Sequence, residues 1–219
     1  GGYTGSARTV NTEIYNGSAW TETGNMSTAR FAGGMAGTQT AAWYASGNSS
    51  PGGGRTAATE EFGGTSWTSG GNVNTARQQT QAQVGGSLTA GIMFGGNGGP
   101  TATEYYDGSS WTTQSGTLNV GRWNAQGTGT QTAAVMAGGE PPSTANVEEW
   151  NGSAWSEVNN LPGNRNNGMA GGSSQTAMKV IAGQNPGTIA TCFDYDGTNW
   201  AAAPSIATAR SLGAGSSAN

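Results

Sequence analysis

The feature that most constrains the fold is a repeat whose period is marked by tryptophan. Five tryptophans stand 44 to 47 residues apart, at Trp20, Trp67, Trp111, Trp155 and Trp200. A fixed period in this range is typical of stacked repeats or propeller blades. Each tryptophan ends a phrase in which an aromatic residue lies five positions earlier, with Asn-Gly, Asp-Gly or Gly-Gly between them. These dipeptides accept positive φ at both central positions of a tight turn, so each phrase predicts a β-hairpin.

Three further features recur with the same period. An arginine follows each tryptophan after 10 or 11 residues, at Arg30, Arg77, Arg122, Arg165 and Arg210. A short apolar run ending in glycine precedes each later hairpin, as in Ala133–Gly139. A glutamate stands two positions before the first aromatic at Glu13, Glu60, Glu104 and Glu148, and the fifth repeat has Phe193 there. Each repeat therefore offers four short strands, which predicts the four-stranded antiparallel blade of a β-propeller.

The fourth repeat carries these features in full: Ala133–Gly139, Val147–Asn151, Trp155, Leu161–Pro162 and Arg165. An apolar run, a Gly-Gly doublet, a Glu-x-aromatic phrase, a tryptophan, a Leu-Pro segment and an arginine form a pattern that resembles the kelch repeat. The resemblance covers the whole chain and implies a β-propeller.

The two ends of the sequence complement each other within this period. Gly1-Gly2 matches the doublet that ends an apolar strand, and residues 210–219 match the first strand of a repeat. We predict a single all-β domain over residues 1–219, a five-bladed propeller whose seam blade is completed from both termini and lacks one apolar strand. The missing strand belongs to a longer parent chain, is disordered, or comes from another subunit. A larger ring with blades outside this segment is the alternative.

Composition excludes several classes of function. The chain has no histidine, so Ser-His-Asp catalysis is excluded, and the single cysteine, Cys192, leaves no ligand cluster for zinc. With 8 basic and 12 acidic residues, a broad basic surface for nucleic acid is not expected. No apolar run is long enough to span a membrane. We therefore expect no enzymatic activity, cofactor or metal.

Two short phrases indicate a functional class. Thr38–Ala42 reads Thr-Gln-Thr-Ala-Ala, and Gly129–Ala134 contains the same five residues after its glycine. Together with the repeats they resemble kelch-like modules of bacteriophage structural proteins. The resemblance implies a virion or extracellular protein that is a tail-fibre, tail or decoration component. The expected partners are other virion or surface proteins, a host glycan, and further copies of the chain in a homo-oligomer. The alternative is a secreted, carbohydrate-binding lectin.

Candidate binding residues fall into two groups. The five arginines are expected at one mouth of the channel, either paired with repeat glutamates and carbonyls or open to an anion. Because Phe193 replaces the fifth glutamate, Arg210 is the expected anion site. The second group lies in the variable loops between second and third strands, the longest being Asn48–Ala58, and comprises Asn48, Arg55, Asn97, Glu140 and Asn185. The five repeat tryptophans are expected in equivalent, largely buried places.

Overall fold

The regular structure of this chain is entirely β. The computed structural model describes residues 1–50, 54–80, 84–98, 100–172 and 174–213. Within these ranges it has 22 β-strands and no helix, so nothing in the described part of the chain is a helix long and apolar enough to cross a membrane. The all-β prediction is confirmed.

Two two-stranded sheets come first in the chain. They pair β1 (Gly2–Tyr3) with β2 (Arg8–Thr9), and β3 (Thr12–Tyr15) with β4 (Trp20–Thr23). A third small sheet, within the predicted Asn48–Ala58 loop, pairs β7 (Asn48–Ser50) with β8 (Gly54–Arg55). The tip of that loop, residues 51–53, lies outside the described residues.

Four larger sheets carry the predicted four antiparallel strands each. The first contains β5 (Gly34–Thr38), β6 (Ala41–Ala45), β9 (Thr59–Phe62) and β10 (Trp67–Gly70). The second contains β11 (Val84–Ser87), β12 (Ala90–Phe94), β13 (Ala102–Tyr106) and β14 (Trp111–Thr117). The third contains β15 (Gln126–Thr130), β16 (Ala133–Ala137), β17 (Val147–Trp150) and β18 (Trp155–Val158). The fourth contains β19 (Met169–Gly171), β20 (Met178–Gln184), β21 (Thr188–Tyr195) and β22 (Trp200–Ala203).

The repeated aromatic phrase forms a hairpin in all five repeats, as predicted, but with a different turn. Tyr15 lies directly opposite Trp20, and the other four pairs have the same register. Positive φ at both turn positions was the wrong prediction, because only the glycine, such as Gly17 at 98°, adopts it. The preceding Asn16 instead accepts hydrogen bonds on Oδ1 from the amides of Ser18 and Ala19, both at 2.9 Å. The side chain thus closes a longer, four-residue turn.

Apolar side chains pack between consecutive sheets rather than in one central core. Trp43 of β6 meets Trp111 of the next sheet edge to face, with ring centroids 5.1 Å apart. Phe94 of β12 meets Trp155 of the following sheet at 4.9 Å in the same way. The second strands β6 and β12 therefore each cover the hairpin tryptophan of the next sheet, as expected of a propeller-like all-β fold.

The first strands of the larger sheets lie side by side around a cavity of about 1280 Å³, the central cavity. Their close approach requires glycine: a Cβ on Gly85 would lie 2.1 Å from the carbonyl oxygen of Gly129 on the neighbouring sheet. The segments leading into these strands are joined by a chain of backbone hydrogen bonds. Gln79, Asn124, Asn167 and Leu212 each donate to the residue one repeat earlier, the first acceptor being Ala32. All five of these residues have φ between 53° and 60°.

The repeat tryptophans are not equally buried. Trp111 and Trp155 are 5% and 6% exposed, as predicted, whereas Trp67 and Trp200 are half-buried. The prediction is wrong for Trp20, which is 67% exposed. Its ring contacts Tyr15 of its own hairpin, and no other ring contact is found for it in the described residues. Trp111 and Trp155, by contrast, each contact an aromatic ring on the second strand of the preceding sheet.

Candidate functional site

Three of the five repeat arginines form buried ion pairs with repeat glutamates. Arg30 pairs with Glu60, Arg77 with Glu104, and Arg122 with Glu148, and no side chain of the six is more than 3% exposed. The prediction that arginines pair with repeat glutamates is confirmed here. A guanidinium group buried against a carboxylate is not available to an outside anion.

The glutamate of each pair also bridges to a backbone amide three residues before the arginine. Glu60 Oε2 accepts from Ser27 N at 2.7 Å, Glu104 Oε2 from Asn74 N at 2.7 Å, and Glu148 Oε2 from Asn119 N at 2.8 Å. The arginines donate in turn to loop carbonyls, as Arg77 does to Gly95 O at 2.9 Å. Burial lowers the pKa of Arg77, while the charge and hydrogen bond of Glu104 oppose that shift. These contacts make the pairs structural.

Arg165 is the arginine that faces Phe193, because each arginine pairs with the glutamate of the following phrase. Its guanidinium lies over the Phe193 ring, 5.0 Å from the centroid. Nη1 donates to the carbonyls of Ala182 and Thr191 at 2.9 and 2.8 Å. The prediction that Arg210 lacks a carboxylate because of Phe193 was therefore wrong. Phe193 faces Arg165, the arginine of the preceding repeat.

Arg210 is nevertheless poorly bonded. Its side chain is exposed, and Nε donates to Thr208 O at 3.3 Å. In the repeat pattern its carboxylate would be Glu13, which is also exposed. Within the described part of the chain, Arg210 forms no ion pair with Glu13 or with any other acidic residue.

The loop candidates are brought together with residues that the sequence analysis missed. Asn48 is 5% exposed and receives two hydrogen bonds from Arg8 on Oδ1, so it is structural. Arg55 Nη2 donates to Asn97 Oδ1 at 2.6 Å. Glu140 accepts from Asn124 Nδ2 at 2.8 Å.

The missed residues are side-chain amides two positions after three of the arginines, at Gln79, Asn124 and Asn167. Gln79 accepts from Asn97, and Asn167 donates to Gln184 Oε1 at 2.9 Å. The sequence signal was this amide after Arg77, Arg122 and Arg165, together with the polar residue that follows the second-strand glycine in four repeats. Asn185, the last candidate, lies apart from this amide network and beside Arg165, where both line a cavity of about 210 Å³.

The β3 edge opens onto the central cavity. We call the part of the cavity bounded by Tyr15, Trp20, Phe62 and Trp67 the β3 cleft. β3 pairs with β4 on one side, and no described strand pairs with its other edge. An unpaired edge with aromatic walls is a surface suited to binding an extended chain.

Comparison with known proteins gives no family. No protein-family model matches the sequence, and no curated protein matches it significantly.

Proposed function

We propose that this chain is a non-enzymatic binding module, a five-bladed kelch-like propeller at the surface of a virion, that contacts partner proteins through the β3 cleft. The β3 cleft is the observation that carries the proposal. The virion location rests on the phrases Thr38–Ala42 and Gly129–Ala134 and their resemblance to bacteriophage modules.

Five equivalent backbone bonds support the number of blades. In each repeat, the amide of one glycine donates to the backbone carbonyl of the next repeat arginine at 2.7 to 3.0 Å. The donors are Gly2, Gly47, Gly96, Gly139 and Gly183. Gly47, Gly96 and Gly139 follow the second strands of the first three larger sheets, and Gly183 lies near the end of the second strand of the fourth, β20. The fifth, Gly2, precedes β3 and β4, which then form the outer half of a fifth blade.

The state of the repeat glutamates supports a non-enzymatic role. Glu60, Glu104 and Glu148 are at most 2% exposed and held by arginine and backbone amides. A carboxylate held in this way is a poor general acid or base, because it cannot reach a substrate proton.

The β3 cleft is the place of a second strand. Gly1 N donates to Asn11 O at 2.6 Å. Two other sheets have the equivalent bond: Ser46 N donates to Ala58 O, and Gly138 N donates to Asn146 O, both at 2.9 Å. Ser46 and Gly138 directly follow β6 and β16, so Gly1 corresponds to the residue that comes directly after a second strand.

The aromatic residues that line the β3 cleft are also those that a second strand covers in other sheets. Trp67 corresponds to Trp111 and Trp155, which the second strands of neighbouring sheets cover. Trp67 is only half-buried, and its Nε1 donates to Thr12 Oγ1 at 2.9 Å. The occupant we propose is an extended, apolar segment of a partner protein, about five residues long like β6 and β16, paired with β3 and packed on Trp67 and Phe62.

A peptide tests this function directly. The acetylated and amidated peptide of residues 132–137, which contains β16, should bind the chain saturably in calorimetry and raise its melting temperature. The same peptide with Val135→Asp should bind at least tenfold more weakly, because Val135 takes the position that faces the neighbouring sheet. Equal binding of the two peptides, or none, would contradict the proposal. Immunogold labelling of purified particles tests the virion location separately.

A glycan-binding lectin is the second candidate, favoured by the exposed pair Tyr15 and Trp20, 45% and 67% exposed. Aromatic rings of this kind stack on sugars. The corresponding pairs Tyr106–Trp111 and Trp150–Trp155 are buried, so the surface is not repeated from blade to blade. This difference favours one protein-binding cleft over several sugar pockets, and strong binding on a glycan array that is lost in Trp20→Ala would reverse the preference.

A further inference from the structure

Arg165 is a buried cation without a carboxylate. It is 3% exposed, comparable to Arg30, Arg77 and Arg122, yet among the described residues no acidic side chain forms an ion pair with it. Its Nε has no hydrogen-bond partner. Arg30 shares that last feature, but Glu60 opposes the charge of Arg30. The difference at Arg165 is therefore the missing negative charge.

Both the usual glutamate and its backbone N–H donor are replaced in this blade. Phe193 takes the place of the glutamate, and Pro162 stands three residues before Arg165, where the other blades supply a backbone N–H. Proline has no N–H to donate. The carboxylate and the backbone N–H that are hydrogen-bonded to each other in three other repeats are thus replaced by two apolar side chains, Phe193 and Pro162.

A cavity opens at this position. It has a volume of about 210 Å³ and is lined by Pro162, Arg165, Asn185, Ile189, Thr191 and Phe193, among others. Drug-sized ligands occupy pockets of roughly 300–1,000 Å³, so this cavity suits a group no larger than one side chain. Arg165 Nη2 donates to the Thr191 hydroxyl at 2.7 Å, so the polar end of the cavity combines a cation with a hydroxyl.

We infer that this cavity binds a carboxylate, whose oxygens take the place of the absent glutamate against Arg165 and Thr191. Pro162, Ile189 and Phe193 contact the apolar carbons that carry the group, and Asn185 donates from its amide at the rim. Guanidinium groups favour carboxylates because the two are matched in charge and in the spacing of donors and acceptors. Burial lowers the pKa of Arg165, and a bound anion would oppose that effect. This inference deepens the proposed binding role by naming a ligand chemistry, and it does not depend on the β3 cleft.

Butyrate is the probe for a free small carboxylate, and butyramide is its uncharged control. In NMR titrations of the whole chain, butyrate should shift the Arg165 Nε–H resonance saturably, with a dissociation constant on the order of 1 mM for so small a ligand. Butyramide should leave the resonance unchanged. No shift with butyrate, or equal shifts with both compounds, would overturn the inference.

Phe193→Glu is the decisive variant, because it supplies the internal carboxylate that the other blades have. It should weaken butyrate binding at least tenfold, whereas Arg210→Gln, at an exposed arginine, should leave binding unchanged. Unchanged binding in Phe193→Glu would overturn the inference. Since both variants keep Arg165, the test does not rely on a protein that has lost a buried arginine.

The source of the carboxylate is resolved by a second ligand. Acetyl-Gly-Glu-Gly-amide presents an acidic side chain of a protein. Tighter binding of this peptide than of butyrate identifies a partner protein's acidic side chain as the ligand, and weaker binding identifies a free small carboxylate. Failure of the β16 peptide to bind the β3 cleft would reject the proposed protein contact and leave this site intact.

Discussion

Arg77 and Glu104 lie 27 residues apart in sequence and form an ion pair in which both side chains are completely buried. Arg77 Nη1 also donates to Gly95 O and Ala102 O, and Glu104 Oε2 accepts from Asn74 N. The pair thus joins the entry to the first strand of a sheet with the second and third strands. A buried pair of this kind adds little net stability over apolar residues, but loss of one partner leaves a buried charge.

The same arrangement at Arg122 yields a stability prediction. Arg122→Met should lower the free energy of unfolding by about 3–5 kcal/mol, because Glu148 would remain buried without its cation. Urea denaturation followed by tryptophan fluorescence measures the change. Arg210→Met is the matched control at an exposed position, and its effect should stay within about 0.5 kcal/mol. Equal losses in the two variants would show that the Arg122 pair is not structural.

The hairpin tryptophans should differ in the same way. Trp111 is 5% exposed and contacts both Trp43 and Tyr106, so Trp111→Ala should cost about 3–5 kcal/mol of unfolding free energy. Trp20 is 67% exposed, and Trp20→Ala should change stability by less than about 0.5 kcal/mol. Thermal melts followed by circular dichroism would compare them. A large loss at Trp20 would mean that a strand covers it in solution.

A hydroxyl between neighbouring sheets offers a finer test. Trp155 Nε1 donates to Thr103 Oγ1 at 2.7 Å, and both residues are buried. Thr103→Val removes the acceptor at nearly constant volume, so the unpaired indole N–H should cost about 1–3 kcal/mol. Thr103→Ser retains the hydroxyl and should recover most of that loss in the same denaturation experiment. A valine variant as stable as the wild type would show that the hydrogen bond to Trp155 does not stabilise the fold.

The sequence predicted what is local to one repeat and failed where neighbouring repeats meet. The Tyr15–Trp20 hairpin follows from six consecutive residues, and the four-stranded antiparallel sheets follow from the period. Which glutamate an arginine meets depends on strand pairing over about 27 residues, and spacing alone did not show that Phe193 faces Arg165 rather than Arg210. The exposure of Trp20 likewise depends on packing between sheets, because the buried Trp111 and Trp155 contact second strands of other sheets.

The turn geometry was missed for a different reason, and it leads to a test by pH. Asp107 Oδ1 accepts from the amides of Ser110 and Ser109 and from the Ser109 hydroxyl, each at 2.8 Å. These bonds, that of the Ser110 amide first, lower the pKa of Asp107 from its ordinary value of 3.8 to about 2. Asn-Gly and Asp-Gly were interpreted through backbone φ, whereas the side-chain oxygen determines the turn.

Because the folded-state pKa of Asp107 is lower than that of the unfolded chain, its carboxylate stabilises the fold above about pH 4. That contribution should disappear as the pH falls from about 4 to about 2. Asp107→Asn keeps the turn, since Asn151 accepts from the amides of Ser153 and Ala154 at 2.9 Å in the fourth repeat, but it removes the ionisation. The unfolding free energy of the wild type should therefore fall more steeply over this range than that of Asp107→Asn, as measured by urea denaturation at several pH values. Two parallel curves would show that the turn carboxylate is not linked to folding.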